Sequence, residues 1–160
     1  MRWGCVGLSV EPARTGLVEL LKKDDIDFAR ILIKRYHPLG LPQGGGAARD
    51  HRWFAWVVDG YVCAVAWLHD SAPFRRIAEQ FRIGYEASYF MRRLCKTAPG
   101  DHLADLLKAL ADKLKDEGKE CIWTFGLDEY TDAVYRLAGF KEVGKTSRKR
   151  RSVYVLRLRG

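Results

Sequence analysis

Three side chains in this sequence stand where a proton could be moved. Tyr135 lies in a short helical run that ends at Gly139-Phe140. A phenol with a pKa of about 10 is protonated at neutral pH and can act as an acid; the alternative is an amphipathic core tyrosine. Glu86 stands just ahead of an apolar run at 87–96, as a base or as a solvated strand end. His37 follows a helical pattern and precedes Pro38; its imidazole either accepts a proton near neutral pH or caps the helix. His51, His69 and His102 show no ligand spacing with carboxylates or thiols, so no metal is expected. The cysteines, Cys5, Cys63, Cys95 and Cys121, form no CxxC pair, and three of them fall in strand-like apolar runs. They read as buried free thiols, which suits a reducing cytoplasm.

The fourth chemical feature is charge. The formal net charge is +8, yet residues 145–160 carry seven basic side chains and no acid, leaving +1 for the other 144 residues. Arg148, Lys149, Arg150 and Arg151 are consecutive. Such a cluster either binds phosphate, as in DNA or another polyanion, or forms a solvated hairpin tip. The tryptophans at 53, 56, 67 and 123 alternate within strand-like runs and are expected in the core rather than stacked on bases.

The elements that must position these groups follow from pattern. With 160 residues, 48% hydrophobic and 30% charged, the chain suits one globular domain. Its longest apolar stretch, 53–68, is broken by Asp59-Gly60 and is too interrupted to span a bilayer. The first residues lack the shape of a signal peptide, so a soluble cytoplasmic protein is expected.

A short strand is expected at 4–10, before turn signals at Pro12 and Gly16; 17–21 is ambiguous. Asp25 is expected to cap a helix through Tyr36, which His37-Pro38 stops. Residues 38–50 form a glycine-rich loop that lacks the context of a P-loop. Strands at 53–58 and 61–68 form a hairpin on Asp59-Gly60. Ser71 and Pro73 open a helical turn.

A strand at 87–96 precedes a helix capped by Asp101 and ended by Gly118. Leu103, Leu106, Leu107, Leu110 and Leu114 recur at steps of three and four, which makes one buried stripe. A strand at 120–125 completes a βαβ crossover. Thr131 then caps a short helix, with Asp128 and Glu129 favouring its start, and strands at 140–143 and 152–158 close the chain. The predicted fold is α/β (α+β): a mixed twisted sheet with helices on both faces and a central parallel pair.

The order of these elements over roughly 25–158, together with Tyr135 and Gly139-Phe140 before Val143-Gly144, resembles the GNAT N-acyltransferase superfamily. The resemblance implies acetyl-CoA or another acyl-CoA as cofactor, bound beside the strand at 87–96. It implies direct attack by an amine in a ternary complex. Backbone amides of Leu94 and Cys95 would polarise the thioester carbonyl. Tyr135 would protonate the leaving thiolate, and Glu86 or His37 would serve as base.

The pyrophosphate would meet the first amides of the next helix, where unpaired N–H groups favour an anion. The residues concerned are Lys96, Gly100, Asp101, His102 and Leu103. Here the sequence departs from the superfamily's usual loop: the basic residue is missing, and Asp101 repels phosphate. Shorter motifs, Tyr36-His37 with Leu39-Gly40 and Arg93-Leu94-Cys95, resemble the Mom branch, whose phage members modify adenine in DNA. Two other outcomes are therefore carried: a Mom-like DNA-modifying or DNA-binding protein, and a non-catalytic interaction domain.

Overall fold

The computed structural model describes residues 14–42 and 48–159. The strand expected over 4–10, the turn at Pro12, Cys5 and the glycines at 44–46 lie outside the described residues.

Among the described residues seven strands form one sheet in the order β1-β2-β3-β4-β5-β7-β6. They are β1 (Gly16–Leu20), β2 (His51–Val58), β3 (Tyr61–Asp70), β4 (Ser88–Lys96), β5 (Cys121–Phe125), β6 (Lys141–Lys145) and β7 (Ser152–Arg157). All neighbours are antiparallel except β4 and β5. The ambiguous segment at 17–21 is thus an edge strand, paired along its length with β2. The β2–β3 turn places Asp59 and Gly60 at φ 49° and 81°, the left-handed pair that a two-residue hairpin requires.

Among the described residues four α-helices cover both faces: α1 (Lys23–Tyr36), α2 (Arg75–Gln80, after a 3₁₀ turn), α3 (His102–Asp116) and α4 (Glu129–Leu137). The predicted α/β fold is present, with β4–α3–β5 as its central crossover. The five leucines of α3 are buried against Phe54, Ala66, Tyr89, Met91 and Ile122, and α4 adds Tyr135 to the same layer. On the opposite face α1 packs Ala29, Leu32 and Ile33 on Ala55, Val57 and Val65. Beside it Ala78 of α2 joins Phe90, Trp123 and Val155. Cys63, Cys95 and Cys121 are buried free thiols. Trp53 and Trp123 are buried. Among the described residues no helix is long and apolar enough to cross a membrane.

The helix starts differ from the sequence reading. Asp25 does not cap α1, which begins earlier, at Lys23, with Lys22 as cap residue. Lys22 makes no side-chain bond; its carbonyl accepts from Ile26 N at 3.0 Å. Asp24 and Asp25 instead sit in the first turn, where negative charge favours the helix dipole. Ser71 makes no cap bond. Thr131 lies inside α4, and the cap is Asp128, whose Oδ1 accepts from Thr131 N at 2.7 Å. Asp101 holds the cap position of α3, but its side chain bonds no helix amide. His37 ends α1 in an extended conformation, φ −86° and ψ 134°, as the following proline dictates.

Candidate active site

Two local irregularities open the sheet at its centre. Pairing between the parallel strands β4 and β5 covers only Ser88, Tyr89 and Phe90 against Cys121, Ile122 and Trp123. Beyond Phe90 the strands separate, although β4 runs on to Lys96. Along the other edge β4 carries a bulge. Trp67 faces Arg93 while Leu68 faces Met91, so Arg92 is the extra residue. Its effect on side-chain phase is visible in the core. Tyr89 and Met91 point into the α3 layer, and after the bulge it is Leu94, not Arg93, that returns to it.

A bulge bends its own strand, and here the bent part is the part that leaves β5. The β4 backbone groups that face β5 past Phe90 have no ladder partner. One is taken up by a side chain: Thr124 Oγ1 donates to Met91 O at 2.8 Å. Thr124 is therefore a peg at the vertex of the opening.

The gap continues into a cavity of about 580 Å³. Tyr135, His37, Leu94, Lys149 and Arg151 all line it, joined by Arg92, Arg93 and Thr124. Phe74, Phe90 and Phe125 form an aromatic wall. On the far side of β5 the chain turns at Gly126. A Cβ there would lie 3.0 Å from Asp132 Oδ2 and 3.2 Å from Ser152 Cβ, so any larger residue would push these neighbours aside.

Tyr135 is buried, 4% exposed, with its ring against Phe140 and Tyr154. Burial pushes its phenol well above the usual range, and the neighbouring Thr124 hydroxyl offsets part of that push. The group thus keeps its proton at neutral pH, and it lines the cavity.

His37 is also buried, and burial, with the charge of Arg93, lowers its pKa to about 4 against a smaller opposing effect of Asp128. Its Nδ1 accepts from Leu39 N at 3.0 Å. The proton of the neutral ring therefore sits on Nε2, which makes that nitrogen a donor. Burial raises the thiol of Cys63, pushes that of Cys95 up to about 12 and that of Cys121 to about 11. Among the described residues no cysteine is a thiolate nucleophile at neutral pH.

Other expected site residues lie elsewhere. Glu86 is exposed ahead of Ser88, at the zipped end of β4, and does not line the cavity. Cys95 turns its side chain into the layer under α1. Lys96 ends β4 with Nζ 3.4 Å from Tyr130 Oη and 5.4 Å from that ring's centroid. Arg148 and Arg150 are exposed and do not line the cavity, unlike Lys149 and Arg151 between and beside them.

The start of α3 forms a second feature. A ring nitrogen of His102 meets Pro99 O at 2.8 Å, folding the ring over Gly100, where a Cβ would lie 2.8 Å from Nε2. Leu103 is a core residue. Because Asp101 does not cap, its side chain leaves the first-turn amides of α3 available.

These residues fit an acyl-CoA in outline: a split between strands, a protonated phenol lining the cavity beyond it and a helix start whose amides the Asp101 side chain does not claim. Arg92, Arg93, Thr124 and the phenylalanine wall were missed by sequence reasoning. The adjacent arginines in the apolar run at 87–96 were the available signal, since strict alternation cannot place both on one face.

No family model matches the chain. A protein of Sulfolobus islandicus rod-shaped virus 1, described as "uncharacterized protein 154", is 49% identical over 141 residues, which span 86% of this chain and 92% of that protein. Among solved structures, the aminoglycoside acetyltransferase AAC(6')-Ib in complex with coenzyme A aligns with a TM-score of 0.67 at 13% identity, covering 90% of this chain and 95% of its own. FeeM, an N-acyl amino acid synthase from uncultured soil microbes, gives 0.65 at 13% identity over 91% and 90%. Tetrahymena Gcn5 gives 0.60 at 12% identity over 91% and 96%. Nothing in these comparisons bears on the Mom branch. The chain belongs to one family with the rod-shaped virus protein, and its fold is that of the GNAT N-acyltransferase superfamily.

Proposed function

We propose that the protein transfers an acyl group, with acetyl the simplest case, from acyl-CoA to an amine within a ternary complex. The observation that carries this reading is the early end of β4–β5 pairing at Phe90 and Trp123, with Tyr135 lining the cavity beyond it. Acyl-CoA supplies an activated thioester carbonyl and a thiolate leaving group. Backbone N–H groups of β4 past Phe90 donate to the carbonyl oxygen as charge develops on it; Leu94 is the candidate, because the Thr97 N to Cys63 O bond sets a register in which Cys95 N–H is turned to Val65 of β3. Tyr135 gives its proton to the sulfur as the C–S bond breaks and the amine's C–N bond forms, and the proton shed by the acylated nitrogen returns through solvent to the Tyr135 phenolate. The first-turn amides at Asp101, His102 and Leu103 receive phosphate, with Lys96 the nearest cation on β4.

The buried thiols support direct attack over an acyl-enzyme. His37, held neutral with its proton on Nε2, orients and donates; it does not take the amine's proton. Glu86, at the zipped end, is assigned no part. Calorimetric titration with acetyl-CoA at low salt tests the reading. Micromolar binding is expected; no heat up to millimolar ligand would remove it and leave a binding domain on the same scaffold.

A further inference from the structure

The charge of the cavity deepens the transferase reading, and the nature of the acceptor rests on that reading. Four cations line the cavity: Arg92, Arg93, Lys149 and Arg151. Among the described residues no carboxylate does. Among the described residues none of the four lies within 4.0 Å of an acid; the ion pairs belong to Arg52, Arg75 and Lys113.

Contacts hold the three arginines without neutralising them. Arg93 Nε donates to Gly40 O at 2.7 Å, and its Nη1 to Arg92 O at 2.8 Å. The Arg92 guanidinium lies 5.3 Å from the Phe74 centroid, and that of Arg151 5.6 Å from Phe125. Burial, then mutual repulsion with Arg151, lowers the pKa of Arg92; burial and both other arginines do the same for Arg93. Like charges held together in a partly dry cavity lack a counter-ion, and His37 Nε2–H adds a further donor.

A cationic acceptor is repelled here. A monocarboxylate, with one charge and two oxygens, leaves most of the set unpaired. Phosphate brings up to two charges and three acceptor oxygens, which guanidinium groups bind bidentately. The phenylalanine wall adds faces for a ring. The same field disfavours an ammonium ion, so an amine placed here stays neutral without a carboxylate base.

We propose that the acceptor is an amine-bearing phosphate ester whose phosphate is held by Arg92, Arg93, Lys149 and Arg151 in the cavity where β4 and β5 part. The first turn of α3 contributes no residue to this cavity, so the four cations stand apart from the turn assigned to the cofactor's pyrophosphate.

The test is calorimetry at low salt with AMP, adenosine and a short adenine oligonucleotide, in the presence of saturating coenzyme A. AMP carries a phosphate, a stacking ring and an exocyclic amine. It should bind, and adenosine should bind at least tenfold more weakly. Arg92→Gln and Arg151→Gln should each weaken AMP about tenfold, the size expected for one charge-assisted hydrogen bond, while coenzyme A affinity holds. Lys149→Gln, at an exposed loop position, stays readable should an arginine variant fail to fold, and it too must weaken AMP.

Adenosine binding as tightly as AMP, or AMP affinity unmoved by these substitutions, overturns the proposal. If coenzyme A fails to bind while AMP binding still depends on Arg92 and Arg151, the transferase reading falls and the phosphate site stands. Tighter oligonucleotide binding with a steep salt dependence assigns the phosphate to nucleic acid; equal affinity assigns it to a free nucleotide-like ester.

Discussion

At the scale of single residues, burial decides which groups hold their protons at neutral pH. Tyr135 is closed off among Phe140, Tyr154 and Thr124, so its phenol keeps its proton at neutral pH. Tyr135→Phe should lower kcat about 100-fold, within the usual span for a lost general acid, while acetyl-CoA affinity changes less than twofold; steady-state kinetics beside calorimetry separates the two. His37 makes a different prediction. Its pKa falls from 6.5 to about 4 on folding, so below pH 6.5 the unfolded chain binds a proton that the folded chain refuses. Stability from this residue is therefore intact above pH 6.5 and drains away as pH falls toward 4. Between pH 7 and pH 5 the loss is on the order of 2 kcal/mol. Arg93 and Asp128 are the charged groups acting on the ring, with opposite signs. Urea midpoints at pH 7 and pH 5 should differ more for the wild type than for His37→Gln.

At the scale of elements, caps and pegs place the site. Asp128→Ala removes the bond to Thr131 N and should cost about 1 kcal/mol, loosening the helix that carries Tyr135. Leu110→Ala in the fully buried stripe of α3 should cost about 3 kcal/mol. Both are read from denaturant midpoints at constant slope. Thr124→Val should cost about 1 kcal/mol and leave Met91 O unpaired at the vertex of the split.

Elements were the most legible level of the sequence. The leucine spacing of α3, Asp59-Gly60 and His37-Pro38 each carry a local rule that the tertiary structure obeys. Cap assignments failed at Asp25 and Thr131 because several polar residues in a row satisfy the same rule, and packing chooses among them; Ser71 and Asp101 hold their cap positions without a side-chain bond. The bulge at Arg92 was not read, since only the partner strand defines which residue is extra.

At the scale of the molecule, the sheet is closed on both sides of β4–β5 and open between them. Strand order predicted a parallel pair at the centre, but no local pattern says how far two parallel strands stay paired. The positive charge was legible only in part. The run at 148–151 stands out in sequence, yet its members divide in space: Lys149 and Arg151 line the cavity while Arg148 and Arg150 do not. Arg92 and Arg93 come from a strand 55 or more positions earlier in the chain. Cations separated so far in sequence become a site only through the fold.

The measurement that bears most directly on the split is an amide chemical-shift map with and without acetyl-CoA. Shifts should concentrate in β4 beyond Phe90, including Leu94, and in the first turn of α3, while Ser88 to Phe90 stay still. Saturating acetyl-CoA that leaves the Leu94 amide unmoved, or moves only residues remote from β4 and α3, would contradict the account.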